Sequence, residues 1–236
     1  AYQPYTGVPD EQRVVRYFDK GRMEIDDPRA QVDSGWYVPG GRLAWEMITG
    51  RGPIGTAQFQ DALPAAAPLA GDPIPGIPTY AVLRPLLDAP PAPAGDRIVT
   101  RLAADGSRLA DPSLAPYGVR AGPAVSGSRH GVASVFQPWL DARGRVIVGS
   151  TVLEESMLDA PLAVTGLPIT EAYWVRVPLG GDNRDVLVQC FERRCLTFTP
   201  TNPPAWQVEM SNTGAHYLRW ITPPVNERLP PAPSWS

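Results

Sequence analysis

Side chains able to do chemistry are scarce in this sequence. Two histidines and two cysteines stand among 236 residues. Neither His130 nor His216 has a second His, Cys or carboxylate at ligand spacing, and two cysteines alone cannot complete a zinc site. Ser126 and Ser128 lie near His130, but nearness in sequence is not a triad, and there is no G-x-S-x-G elbow. Carboxylates pair at Asp26–Asp27 and at Glu154–Glu155. A glycosidase needs its two carboxyls ~5–9.5 Å apart across a cleft, whereas neighbours on a strand point to opposite faces. Asp182, Asn183 and Asp185 offer oxygen ligands at a spacing that departs from an EF-hand loop. The expectation is a protein with no catalytic residue, no metal site and no cofactor.

Cys190 and Cys195 flank Phe191–Glu192–Arg193–Arg194. In a hairpin closed by a two- or four-residue loop they stand directly opposite, with Cβ atoms ~4.5–5.5 Å apart, near enough for a disulfide after modest adjustment. A free thiol pair is the alternative, and an oxidising compartment favours the disulfide. Seven tryptophans are many for 25.5 kDa. Trp36 and Trp206 read as core anchors, and Trp235 as the one free for a partner.

The elements that would position these residues are short. The 29 prolines and 22 glycines favour strands and turns over long helices. The predicted class is mainly β: short antiparallel hairpins and meanders, a few short helices, two degenerate repeat units and a Pro-rich linker. The clearest stretch is 172–199, a three-stranded meander of Tyr173–Val177, Asp185–Phe191 and Cys195–Thr199. Residues 96–110 read as a hairpin in which Leu102 faces Leu109. A short helix within 132–141 is limited by Pro138, and Arg145–Val148 reads as a strand. The expected organisation is a first unit at 1–50, a Pro/Ala-rich linker at 51–95, a middle segment at 96–165, a second unit at 166–222 and a Pro-rich tail at 223–236. Within the linker, Thr79–Leu83 is apolar enough to dock on a core.

The two units are matched in order. Val15–Ile25 aligns with Val188–Phe198 without a gap, Phe18 standing 173 positions before Phe191. Gly35–Trp36–Tyr37–Val38 then aligns with Ala205–Trp206–Gln207–Val208, and an apolar helical segment follows each, Leu43–Ile48 and Tyr217–Ile221.

The run Gly166–Leu167–Pro168–Ile169–Thr170–Glu171, followed by Val188–Gln189–Cys190–Phe191–Glu192–Arg193, is similar to the LGFP-type repeat. Over most of its length, through Tyr17–Ile25 and Gln189–Thr197, the chain resembles a family of uncharacterised exported proteins of filamentous green non-sulfur bacteria. The resemblance implies export and an extracellular or cell-surface setting; with no n-region and h-region at the start, any signal peptide is expected to have been removed already. It implies no activity; LGFP repeats stand beside cell-wall enzymes, where a wall-binding role is supposed.

Net charge is −3 with a pI near 5.4, so there is no electrostatic case for nucleic acid. No apolar stretch approaches the ~18 residues of a membrane span, so no membrane insertion is expected. The function expected is a non-enzymatic structural or surface-assembly protein that polymerises by strand or tail exchange. The alternative is a cell-wall or polysaccharide-binding module. The partner is then another copy or a cell-envelope polymer. The first unit is expected to lack the strand that opens the second, which leaves Arg13–Phe18 as an unpaired edge. Arg13, Arg16, Phe18 and Trp235 are the candidate partner-binding residues.

Overall fold

The computed structural model describes residues 1–27, 29, 38–158 and 161–222. Strands β1 (Tyr2–Pro4), β2 (Gln12–Phe18) and β3 (Gly21–Ile25) form an antiparallel sheet in that order. Helix α1 (Leu43–Thr49) ends on Gly50, whose φ of 74° and whose approach to the Ala62 carbonyl leave no room for a Cβ. A small hairpin, β4 (Arg51–Pro53) and β5 (Phe59–Asp61), follows, then a 3₁₀ segment at Tyr80–Leu86. The middle of the chain supplies β6 (Thr100–Leu102), β7 (Arg108–Ala110), α2 (Gln137–Leu140) and an arm made of β8 (Arg143–Val148) and β9 (Thr151–Ser156). The remainder is α3 (Pro161–Thr165), β10 (Tyr173–Leu179), β11 (Asp182–Cys190), β12 (Cys195–Phe198), β13 (Val208–Met210) and α4 (Thr213–Ile221).

The main sheet runs β13–β12–β11–β10–β6–β7, antiparallel except where β10 meets β6. Its central strands are apolar on both faces because both are covered. Val175, Val177, Val186 and Val188 face a core with α1 and the linker residues Leu69, Tyr80 and Leu83. Trp174, Leu187, Leu196 and Phe198 face a second core with Leu114, Phe136 and Leu140. Burying each such side chain stabilises by roughly 1.5–3 kcal/mol. The indole N–H of Trp174 donates to the Ile98 carbonyl at 2.8 Å, so the largest buried ring leaves no orphaned donor.

The mainly β class and the 172–199 meander are as the sequence predicts. Thr79–Leu83 docks through Tyr80 and Leu83, and the Pro/Ala-rich stretch around it is built into the core through Ala65, Leu69 and Leu86. The 96–110 hairpin differs by one residue in register. Leu109 pairs with Arg101 and Leu102 with Arg108, because the turn spans Ala103–Ser107 rather than two residues. Leu102 is therefore buried and Leu109 is 70% exposed, on opposite faces.

The edge expected at Arg13–Phe18 is not there. β1 pairs with β2 through Tyr2–Val14, Gln3–Arg13 and Pro4–Gln12, so β2 is the central strand of its sheet. The prolines at positions 4 and 9 shorten this strand without abolishing it, since Pro4 closes the ladder and needs no inward N–H.

The matching of the two units extends to backbone geometry. In the first hairpin Val15 pairs with Glu24, Arg16 with Met23 and Tyr17 with Arg22. In the second, Val188 pairs with Thr197, Gln189 with Leu196 and Cys190 with Cys195, each the counterpart 173 positions on. Gly41 N–H donates to the Arg22 carbonyl at 2.8 Å, as Ser211 N–H donates to that of Cys195 at 3.0 Å. Each unit's helix then closes the other unit's hairpin. The Trp45 N–H of α1 donates to the Glu192 carbonyl in the second turn at 3.0 Å, and the Ala215 N–H of α4 donates to that of Asp19 in the first turn at 3.1 Å. Glu192 and Asp19 occupy equivalent positions, so the exchange is reciprocal.

Candidate functional site

Where α4 lies across the first sheet, a groove of about 750 Å³ opens between β1–β2, the β4–β5 hairpin and the end of α4. Strand alternation on β2 turns Arg13 and Tyr17 toward it, β1 brings Gln3, and the last turns of α4 bring Tyr217 and Trp220. One wall is a run of aromatic rings. Tyr17 stacks on Tyr217 at 6.0 Å between centroids, and Tyr217 meets Trp220 edge-on at 5.4 Å. The Trp220 indole N–H donates to the Leu63 carbonyl at 2.9 Å and Gln3 Nε2 donates to the Tyr17 hydroxyl at 3.1 Å, so both side chains are held. Glu11, Gln60 and Ile54 are also in the lining.

Behind this wall sits a buried charged network. Arg22 Nε donates to Glu24 at 2.5 Å and Nη2 to Glu46 at 2.8 Å; the Tyr217 hydroxyl donates to the other Glu46 oxygen at 2.6 Å. Arg13 Nη1 donates to Glu24 at 3.2 Å, with its guanidinium 4.1 Å from the Tyr5 ring centre. Burial raises the Glu46 carboxyl above its usual range, with Arg22 and the Tyr217 hydrogen bond opposing it. Burial works against the Arg22 charge, but Glu46 and Glu24 outweigh it and its pKa rises. Burial first, then the Glu46 charge, raises Tyr217, which stays a donor. The network joins the two units, since Arg22, Glu24 and Glu46 come from the first and Tyr217 from the second. Its members are hydrogen-bonded at close range, which fixes the groove wall. Removing one partner from such a pair is far costlier than never having it.

The predicted partner-binding residues are divided. Arg13 is 3% exposed and committed to Glu24, so it is not a surface contact. Arg16 and Phe18 are exposed beside one another on β2. Trp235 and the tail lie outside the described residues, as does Trp36. Trp206 is 64% exposed on a 3₁₀ turn and anchors no core. Its turn lies outside the ladder of β12 and β13, and the buried indole of that sheet is Trp174.

Cys190 and Cys195 are opposed in the ladder and joined by a disulfide, with both residues fully buried. His216 Nδ1 shares a hydrogen bond with the buried Tyr80 hydroxyl at 3.2 Å; burial and the nearby charges of Lys20 and Arg219 lower its pKa to about 4, so it is neutral at pH 7. His130 Nδ1 pairs with Glu171 at 2.7 Å, while the Ser128 hydroxyl donates to the Pro168 carbonyl. Asp185 is engaged by Arg101 at 2.9 Å and Arg176 at 3.2 Å. Among the described residues no group of three or more His, Cys, Asp or Glu is placed to hold a metal ion, and no helix is long and apolar enough to cross a membrane.

Arg22, Glu46, Tyr217 and Trp220 were not singled out from the sequence. One signal was available: the alignment sets Arg22 opposite Cys195 and Tyr17 opposite Cys190, two core positions, so a charge there required a buried partner. Compared with protein-family models, curated proteins and solved structures, the chain matches none of them.

Proposed function

We propose that this is an extracellular, non-enzymatic protein of the cell envelope that binds the sugar rings of a polysaccharide in the aromatic groove. The observation that carries the reading is the pair of part-exposed rings Tyr17 and Trp220, braced by the buried Tyr217 between them, beside Gln3, Gln60 and Glu11. The C–H faces of a sugar ring are apolar and pack on aromatic rings, while its hydroxyl rim takes hydrogen bonds from amides and carboxylates. A largely apolar concavity with a few held polar groups is the usual form of such a site. The resemblance to wall-associated repeats and the buried disulfide support an extracellular setting. Co-sedimentation with insoluble cell-wall polysaccharide tests the reading, with Trp220→Ala checked for an unchanged fold by circular dichroism. Retention of the full chain and its loss in the variant are expected. Failure to bind any wall polysaccharide, or equal retention of a folded variant, refutes it.

Self-assembly is a second reading, and it now has a different basis. With β2 paired on both sides, strand donation to that edge has no place to act. The β8–β9 arm pairs with no other strand among the described residues, and it exposes Ile147 (72%), Val152 and Leu153. A lone two-stranded hairpin is marginal in water, so the arm is a favourable place for a second copy to pair. Light scattering at high concentration tests this. A full chain that is a plain monomer, or that associates equally well without residues 143–156, ends the assembly reading.

A further inference from the structure

Resting on the glycan reading of the groove, we infer that the ligand is a linear chain of sugar units and that a second cavity beyond Trp220 holds its continuation. This cavity, of about 690 Å³, lies between α4 and the proline-rich segment around residues 66–79. Trp220 lines both it and the groove, so the indole is the partition between two adjoining concavities. Each has the volume of a site for one drug-sized ligand, about 300–1,000 Å³, and a single sugar or disaccharide occupies only one of them.

The partition is rigid. Its N–H is tied to Leu63, a residue of the chain segment that leads from the groove toward the second cavity, and its ring is braced by Tyr217. A chain passing over it meets an aromatic face between two pockets, the arrangement that suits successive rings rather than one. The second cavity repeats the mixture found in the groove: apolar Pro68 and Ile74 beside the polar groups of Asn212 and His216. His216 is neutral at pH 7, so it offers hydrogen bonding without a net charge. Its charged lining residues are Asp72 and Arg219, one of each sign, so the cavity offers no cationic excess to a polyanion and fits an uncharged polysaccharide segment better.

Isothermal titration with a ladder of β-1,4-linked N-acetylglucosamine and glucose oligomers, from disaccharide to octasaccharide, tests the inference on the full chain. Affinity is expected to climb about tenfold or more with length and then level off once both cavities are filled. Ile74→Arg places a long side chain into the second cavity from an exposed loop position, where the fold tolerates it. It is expected to abolish the gain with length while the disaccharide binds as before. If the disaccharide binds and longer oligomers bind no tighter, or Ile74→Arg leaves the gain intact, the two-cavity inference is overturned and the groove reading stands. If no oligomer of any length binds, the groove reading itself falls, and this inference with it.

Discussion

Gly214, in the first turn of α4, is where the reciprocal packing of the two units is most sharply tested. A Cβ built there lies within van der Waals overlap of the Phe18 carbonyl oxygen and 2.8 Å from the Gly21 nitrogen and oxygen. All three are backbone atoms of the β2–β3 turn, so no side-chain rotation relieves the clash. The turn and the helix must separate, which breaks the hydrogen bonds from Gly214 N–H and Ala215 N–H to the Asp19 carbonyl at 3.0 and 3.1 Å. Two backbone hydrogen bonds contribute about 1 kcal/mol each. Overpacking adds about 1–3 kcal/mol, and the better helix propensity of alanine returns about 1 kcal/mol. Gly214→Ala should therefore destabilise by about 2–4 kcal/mol, read as a lower urea midpoint at unchanged slope. Gly52→Ala is the control: nothing lies within 4 Å of its built Cβ, and its stability should stay within about 0.5 kcal/mol of the parent. A Gly214→Ala protein as stable as the parent would show that α4 does not cap the first turn in solution.

Mass spectrometry of non-reduced, alkylated protein should find no free thiol, and Cys190→Ala/Cys195→Ala should lose about 2 kcal/mol, the loop-closure value for so short a ring. Tyr217→Phe should lose about 1.5–3 kcal/mol, because Glu46 keeps its burial and forfeits a donor. The His216 pKa of about 4 when folded lies below its ordinary value of 6.5, so the unfolded chain binds the extra proton first as pH falls. Its contribution is complete above pH 6.5 and is lost progressively toward pH 4. Denaturant titrations at pH 7 and pH 4 should show the parent losing on the order of 2 kcal/mol more than His216→Gln; equal losses would refute the assignment.

The sequence carried the second unit well. The alternation of Tyr173–Val177 and the turn at Gly180–Gly181 are local signals, and the disulfide follows from a four-residue loop between opposed positions. It carried the first unit poorly at its start, because a three-residue strand bounded by Pro4 has no period to read, and only its partner makes it a strand. Trp206 is exposed for a related reason: its alignment with Trp36 is a property of the chain, while burial depends on what the rest of the molecule lays over it. The groove was least legible. Tyr17, Ile54 and Trp220 are separated by more than 150 residues in their outermost members, and only the crossing of α4 over the first sheet brings them together.

The reciprocal capping also fixes an order of events during synthesis. The Asp19 carbonyl waits for Gly214 and Ala215, which leave the ribosome 195 and 196 residues later. Until then the first three strands can pair, but their turn stays open and Arg22 has no Tyr217 to complete its surroundings. Closing so long a loop costs only slightly more than closing a short one, yet contacts this distant in sequence make for slow folding. Truncation before α4 thus removes the lid of the first unit along with the end of the second, and an N-terminal half produced alone should be a sticky, unfinished sheet rather than a smaller working protein.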